Sequence, residues 1–160
     1  MKKSWNPSPN YDERPRDAVI DTIVLHATVF DSLEETIEHF SKPESKVSAH
    51  YTIDRDGTTV QHVEESKRAW HAGVSEMPDG RKNVNDFSIG IELVNKNSGF
   101  DVYPSPQITA LKFLVEEIIS RHPIRNIVTH AQIARPLGRK DDPKGFPSEI
   151  LQSLLGKTNR

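Results

Sequence analysis

Three side chains in this 160-residue sequence have the types and positions expected of a catalytic metal site. His26 follows the apolar run "TIVL", and His130 closes a second apolar run, "NIVTH". Asp142 comes twelve residues after His130, in "GRKDDP". Two neutral imidazoles and one carboxylate are a ligand set typical of catalytic zinc, with a fourth position left to water. Because the seven histidines allow many pairings and no H-E-x-x-H motif is present, the pattern alone leaves structural roles open.

Composition narrows the classes of function. The formal net charge of −2 lacks the basic excess typical of nucleic-acid-binding proteins, so we expect no nucleic-acid partner. The absence of cysteine excludes disulfides, thiolate zinc fingers and a cysteine nucleophile. No stretch approaches the ~18 apolar residues of a membrane-spanning helix. The length is typical of one domain with its own hydrophobic core, and we favour a monomer.

The histidines lie at the ends of predicted strands. β-branched and apolar runs predict one strand at residues 21–27 and another in "RNIVTHA", which ends near His130. In "SAHYTIDRDGTTVQHV", Asp56 and Gly57 lie between two β-rich runs, which predicts a tight hairpin. We therefore expect the two histidines to be held rigidly at strand ends.

A further strand is predicted at residues 87–95, in "FSIGIELVN". Its alternation places the isoleucines and the leucine on one face, with Gly90 and Glu92 on the other. Glu92 is therefore either an outward-facing strand acid or a carboxylate that lines a cleft.

Helices and loops complete the predicted domain. "DSLEETIEHF" begins with the capping-box pair Ser32 and Glu35, and "SPQITALKFLVEEIISRH" and "SEILQSLLG" also have helical periodicity. "KRAWHAGVSEMPDGRKNVND" and "HAQIARPLGRKDDPKGFP" read as long irregular loops. The order of elements predicts a single α/β domain at residues 21–160, with a central mixed β-sheet flanked by helices. Residues 1–20 are Pro-rich and polar and predict an extended N-terminal arm.

Five blocks, in this order along the chain, resemble the zinc-dependent N-acetylmuramoyl-L-alanine amidases of type 2. That family shares its fold with bacteriophage T7 lysozyme and the peptidoglycan recognition proteins. The similarity runs from about Asp21 to Pro143. The blocks are "TIVLHAT", "SAHYTIDRDGTTVQHV", "RAWHAGVS", "NDFSIGIELVN" and "VTHAQIA…GRKDDP".

The resemblance implies a role for each matching residue. His26, His130 and Asp142 match the three zinc ligands, so the cofactor implied is one Zn²⁺ per chain. Glu92 matches the carboxylate that activates the water bound by the metal. Lys140 matches a lysine that stabilises the tetrahedral oxyanion, although a lysine in a loop is also commonly a plain surface cation.

The same resemblance places Trp70 and His71 in the substrate groove, although a core role for Trp70 stays open. Where the phage-type enzymes carry a tyrosine, this chain has Ala49, which leaves Glu92 as the expected base. Asp141, beside the expected ligand Asp142, is expected to be a solvated loop acid. From the residues alone, His62 is expected at the surface.

The function implied is hydrolysis of the amide bond between the lactyl group of N-acetylmuramic acid and L-alanine, in peptidoglycan or in soluble muropeptides. The alternatives are a peptidoglycan-binding module of the same fold without catalysis, a zinc peptidase of the stem peptide, and a metal-free α/β structural domain. No apolar run follows the N-terminal lysines, so no secretory signal is recognised. We expect a cytoplasmic protein if this start is native, and an envelope or secreted protein if a signal was removed.

Overall fold

The structure is a computed structural model that describes residues 3–159. Its strands are β1 (Lys3–Trp5), β2 (Tyr11–Glu13), β3 (Thr22–Ala27), β4 (Tyr51–Ile53), β5 (Thr59–Gln61), β6 (Lys67–Ala69), β7 (Ser88–Leu93) and β8 (Asn126–Thr129). Its α-helices are α1 (Leu33–Ser41), α2 (Ser105–Arg121), α3 (His130–Ile133) and α4 (Ser148–Lys157). Short 3-10 helices lie at Pro43–Ser45 and Val84–Phe87.

A six-stranded mixed sheet forms the centre of the domain, in the order β1-β5-β4-β7-β3-β8. Strands β4, β7, β3 and β8 run parallel to one another, whereas β5 is antiparallel to β4. The hairpin between β4 and β5 turns at Gly57, whose φ of +92° favours glycine. The predicted mixed sheet, its hairpin and its flanking helices are confirmed.

The larger hydrophobic core lies on the face of the sheet covered by α2 and α4. The three apolar residues of β7, which the alternation placed on one face, are fully buried in it. α2 contributes an apolar stripe at helical spacing. Its main members are Ile23, Leu25, Ile89, Ile91, Leu93, Leu111, Leu114, Val115 and Ile118.

The opposite face of the sheet carries smaller clusters under α1 and under the loop that follows β6. Val24 of β3 packs there with Met77 and Ile133. His26 and Glu92 also face this side, and they are direct neighbours in the register of β3 and β7. Since the carboxyl ends of parallel strands meet at one edge of a sheet, this edge forms the natural place for a site.

The N-terminal arm supplies one strand to the central sheet and one strand to a separate two-stranded sheet. β1 extends the central sheet as a parallel edge strand beside β5, and β2 pairs with β6. The guanidinium of Arg14 donates hydrogen bonds to four backbone carbonyls between Glu65 and Ser88. Residues 1 and 2 lie outside the described residues.

The prediction of an unbroken loop from residue 67 to 86 was wrong at its start. Lys67–Ala69 forms β6, because β2 of the arm supplies its pairing partner. This pairing joins segments more than fifty residues apart and leaves no local period in the sequence. Within residues 3–159, no helix has the length and apolar character needed to cross a bilayer.

Candidate metal and catalytic centre

The three predicted ligands converge at the carboxyl edge of the sheet. The Nδ1 atoms of His26 and His130 lie 3.1 Å apart. Oδ2 of Asp142 is 3.4 Å from Nδ1 of His26, and Oδ1 is 3.1 Å from Nδ1 of His130. All three side chains are buried. The structure thus brings together residues separated by more than one hundred positions in the sequence.

These distances suit a tetrahedral metal ion. Two ligand atoms about 2.1 Å from zinc at a tetrahedral angle lie roughly 3.4 Å apart. The outer nitrogens are also occupied: Nε2 of His26 lies 3.0 Å from Nδ1 of His71, and Nε2 of His130 lies 3.1 Å from the carbonyl of Ala72. Protons on these outer nitrogens leave both Nδ1 lone pairs directed at the centre, so the donor set fits zinc.

The backbone fixes Asp142 in this position. Its Oδ2 accepts a hydrogen bond from the amide of Ala27 at 3.3 Å, and its carbonyl accepts one from Ala131 at 3.0 Å. Ala131 belongs to α3, which is capped reciprocally by Thr129 and Gln132. The sequence motif T-x-x-Q at Thr129 was a signal for this short helix that our loop prediction missed.

Asp141 points away from the ligands. It is exposed, and its Oδ1 accepts a hydrogen bond from Nδ2 of Asn97 at 2.8 Å. Oδ1 of Asn97 in turn accepts from the amide of Lys144 at 2.6 Å. The two neighbouring acids of "DDP" therefore have different surroundings: one faces the histidines and the other ties its loop to residues 95–104.

The electrostatics of the cluster keep Asp142 and His26 in the forms that bind a metal. Burial opposes ionisation of Asp142, but its close contacts with His130 and then His26 outweigh burial and hold the pKa of this carboxyl well below its usual range. Burial, followed by the neighbouring His130, lowers the pKa of His26 to about 4. At neutral pH the centre therefore presents a carboxylate and a neutral imidazole at His26.

Glu92 lies beside the ligands without belonging to them. Its Oε2 is buried and has no hydrogen-bond partner among residues 3–159. Burial, and then the charge of Asp142, raises the pKa of Glu92 well above its usual value, although Lys140 acts in the opposite direction. A carboxyl with a raised pKa and an unpaired oxygen is suited to exchanging protons with a bound molecule.

A cavity of about 420 Å³ opens over the cluster, and its volume is typical of a small-molecule site. It is lined by every predicted site residue, including the half-buried Trp70 and the exposed Lys140. Sequence reasoning did not single out four further lining residues, which supply aromatic and basic groups. They are Phe30, His39, Lys46 and Arg139.

Two further histidines, His62 and His71, are buried in the structure. His62, expected at the surface, is 1% exposed, which is a correction. Its ring lies between the hydroxyl of Thr52 at 2.7 Å and the carbonyl of Asn6 at 3.0 Å, because the N-terminal arm covers it. His71 lines the cavity, but it is buried and both of its ring nitrogens face protein groups. Direct contact between His71 and a substrate stays a prediction.

Comparison with known proteins agrees with this geometry. The sequence profile of the family described as N-acetylmuramoyl-L-alanine amidase matches residues 15–145. A relative from Citrobacter freundii, 1,6-anhydro-N-acetylmuramyl-L-alanine amidase AmpD, is 39% identical over 158 residues, covering 86% of this chain and 81% of the relative.

Solved structures show the same fold. The crystal structure of a selenomethionine derivative of AmpD has a TM-score of 0.85 and 34% identity, covering 97% of this chain and 95% of that one. A complex of Escherichia coli AmiD with the substrate anhydro-N-acetylmuramic acid-L-Ala-D-gamma-Glu-L-Lys has a TM-score of 0.73 and 31% identity. The match covers 91% of this chain and 65% of the AmiD chain. By profile, sequence and fold, the chain belongs to the N-acetylmuramoyl-L-alanine amidase family.

Proposed function

We propose that this amidase holds one zinc ion with His26, His130 and Asp142 and hydrolyses soluble 1,6-anhydro-muropeptides. The bond attacked is the amide between the lactyl group of N-acetylmuramic acid and L-alanine. The observation that carries the proposal is the convergence of two imidazole Nδ1 atoms and one carboxylate beside the unpaired oxygen of Glu92.

Each group beside the scissile amide has a defined task. A bound zinc ion supplies Lewis-acid chemistry, since it lowers the pKa of a water ligand towards ~7 and polarises a carbonyl. Glu92 accepts the proton of the attacking water and then delivers it to the departing nitrogen of L-alanine. The ammonium of Lys140 lies at the cavity wall and stabilises the negative oxygen of the tetrahedral intermediate.

A soluble substrate suits the shape and the relatives. The cavity of about 420 Å³ lies in the volume range of sites that take small molecules. Relatives named for the 1,6-anhydro substrate match the chain over 81% of their length, whereas AmiD of E. coli is matched over 54%. The neighbouring AmiD complex contains an anhydro-muropeptide of this kind.

The alternatives differ in what they require of the site. A module that binds peptidoglycan without cleaving it needs neither the full ligand set nor Glu92, and this chain has both. A zinc peptidase would use the same metal but would cut between amino acids of the stem. The compartment and the monomeric state stay predictions.

The test is identification of products by mass spectrometry after incubation with a soluble anhydro-muropeptide and, separately, with purified murein sacculi. We expect free anhydro-N-acetylmuramic acid and a peptide with an L-alanine N-terminus from the soluble substrate, at a rate well above that on sacculi. Equal or faster release from sacculi would contradict the substrate assignment. Cleavage within the peptide would indicate a peptidase.

A further inference from the structure

His71 is enclosed between the ligand His26 and the first residue of β7. It is 8% exposed. Its Nδ1 lies 3.0 Å from Nε2 of His26, and its Nε2 lies 3.1 Å from the hydroxyl of Ser88. The three side chains form a continuous buried chain of hydrogen bonds that leads away from the metal centre.

The direction of these hydrogen bonds follows from the position of the ligand atom. Nδ1 of His26 faces His130 and Asp142, so as a ligand it carries no proton. The proton of the neutral ring then lies on Nε2, which donates to Nδ1 of His71. His71 in turn bears its proton on Nε2 and donates to the hydroxyl of Ser88. The opposite arrangement would direct an N–H group of His26 at the metal position.

Gly90 provides a second, independent sign that the structure is arranged around the ring of His71. A Cβ atom built on Gly90 would lie 2.5 Å from Cγ of His71 and 2.7 Å from its Nδ1. No side chain fits between the β7 backbone and this imidazole. Glycine at this position in "SIGIEL" is therefore required by the ring that packs on it.

The backbone at residues 71–72 is fixed as well. Oδ1 of Asn85 accepts hydrogen bonds from the amides of both His71 and Ala72, at 3.2 and 2.9 Å. The carbonyl of Ala72 is the partner of Nε2 of His130. One short segment thus holds the outer nitrogen of both histidine ligands, with a side chain for His26 and a carbonyl for His130.

We propose that His71 is a positioning residue, which accepts the Nε2 proton of His26 and so presents Nδ1 of His26 to the zinc ion. The inference rests on the proposed function, because it concerns a ligand of that metal. It gives His71 a task different from substrate contact and explains both the burial of the ring and the glycine at position 90. Partners of this kind commonly contribute 10–100-fold to metal affinity.

A pair of substitutions separates hydrogen bonding from packing. His71→Leu fills the space without an acceptor, whereas His71→Asn places its Oδ1 near the position of Nδ1. Competition with a chelator gives the zinc dissociation constant of each metal-free protein. We expect a rise of roughly 10–100-fold for His71→Leu and a smaller rise for His71→Asn. Gly90→Ala should displace the ring of His71, and we expect it also to raise the zinc dissociation constant.

His62→Leu is the matched control. It also removes a buried histidine with two hydrogen bonds, but its partners are Thr52 and Asn6. We expect its zinc affinity to equal that of the wild type. If His62→Leu lost as much zinc affinity as His71→Leu, general damage to the core would explain the weaker zinc binding, and the proposal would be overturned.

Nuclear magnetic resonance of the wild-type protein supplies a readout that needs no variant. Long-range ¹H–¹⁵N spectra of the imidazoles report which nitrogen carries the proton. We expect the Nε2–H form at both His26 and His71 in the zinc-bound protein, with Nδ1 of His71 as the acceptor. A proton found on Nδ1 of His71 in the zinc-bound protein would overturn the assigned direction of the hydrogen bonds and the proposal with it.

The outcomes for this inference and for the proposed function can be told apart. A wild-type protein that binds no zinc would overturn the proposed metal centre, and this inference with it. Zinc binding of equal strength in the wild type and in folded His71→Leu would overturn this inference alone and leave the metal centre intact.

Discussion

At the scale of single residues, Glu92 is the group proposed to transfer protons during hydrolysis. Among residues 3–159, the carboxylates that line the cavity are Glu92 and Asp142. The oxygens of Asp142 already contact the Nδ1 atoms of His26 and His130. Glu92→Gln keeps the shape of the side chain and removes the base. We expect zinc content and melting temperature close to the wild type, with kcat lower by roughly 10²–10⁴.

Zinc content and amidase rate should be measured on the same preparations of Glu92→Gln. Full activity would remove Glu92 from the proton transfers. A loss of zinc would instead make Glu92 a ligand, contrary to its place outside the cluster of donor atoms.

Lys140 is the residue expected to stabilise the oxyanion. It is exposed at the cavity wall, so its removal should leave folding and zinc binding unchanged. We expect Lys140→Ala to lower kcat by roughly 10²–10³, the usual effect of losing one oxyanion contact. Lys144→Ala is the control, since Lys144 is exposed in the same loop and faces Asp141 at 3.7 Å. Equal effects of the two substitutions would contradict a specific role for Lys140.

At the scale of elements, the segment after β6 forms one wall of the cavity. Trp70 is held there by hydrogen bonds between its backbone and Ser48, and its half-buried ring lines the cavity. We expect Trp70→Ala to raise KM more than it lowers kcat, because an apolar ring that contacts the substrate binds ground state and transition state alike. Steady-state kinetics on a soluble muropeptide measures both constants.

The other tryptophan provides the control for this measurement. Trp5 is 52% exposed on the edge strand β1 and does not line the cavity. Trp5→Ala should leave KM unchanged. If Trp70→Ala unfolds instead, Trp70 belongs to the core, and its assignment to the groove is wrong.

The elements that the sequence predicted well are those with local signals. The period-two alternation in β7 identified both the core face and the face of Glu92, and Asp56–Gly57 identified the hairpin. The two strands beside the histidines could also be found locally: His26 is the second-to-last residue of β3, and His130 follows β8 directly as the first residue of α3. Because parallel strands bring such ends to one edge, the candidate ligands were within reach of sequence reasoning, and the family resemblance supported Asp142 as the third of them.

The features that sequence reasoning missed depend on distant partners. β1 and β2 are only three residues long, and they are strands because β1 pairs with β5 and β2 pairs with β6. No local sequence pattern predicts these two pairings. The burial of His62 depends on the arm that crosses it. The hydrogen bond from His26 to His71 depends on a loop whose position is set by Asn85.

At the scale of the whole molecule, Glu65 links distant parts of the chain. It accepts hydrogen bonds from Tyr51 on β4 at 2.7 Å and from Arg121 and His122 at the end of α2, at 2.7 and 2.6 Å. Burial opposes its ionisation, but hydrogen bonds from Arg121, Tyr51 and His122 outweigh burial and lower the pKa of Glu65 to about 2.

This depressed pKa predicts how the free energy of unfolding depends on pH. A carboxyl with a lower pKa in the folded state stabilises the fold above its ordinary pKa of 4.5, and the contribution disappears as the pH falls towards about 2. We expect Glu65→Gln to be less stable than the wild type by roughly 1–3 kcal/mol at pH 7, with a difference that shrinks between about pH 5 and 2.

Urea unfolding at a series of pH values measures this difference. Glu64→Gln, an exposed neighbour, is the control and should follow the wild type throughout. A stability difference between Glu65→Gln and the wild type that stays constant from pH 7 to 2 would show that ionisation of Glu65 does not stabilise the fold.

The most direct measurement is titration of zinc into metal-free protein while cleavage of a soluble anhydro-muropeptide is followed. We expect the rate to rise with zinc and to level off at about one zinc per chain, since His26, His130 and Asp142 form one centre. Asp141→Ala should follow the wild type, and Asp142→Ala should need far more zinc. Full activity without zinc would contradict the metal centre, and so would a need for far more zinc in Asp141→Ala together with wild-type behaviour of Asp142→Ala.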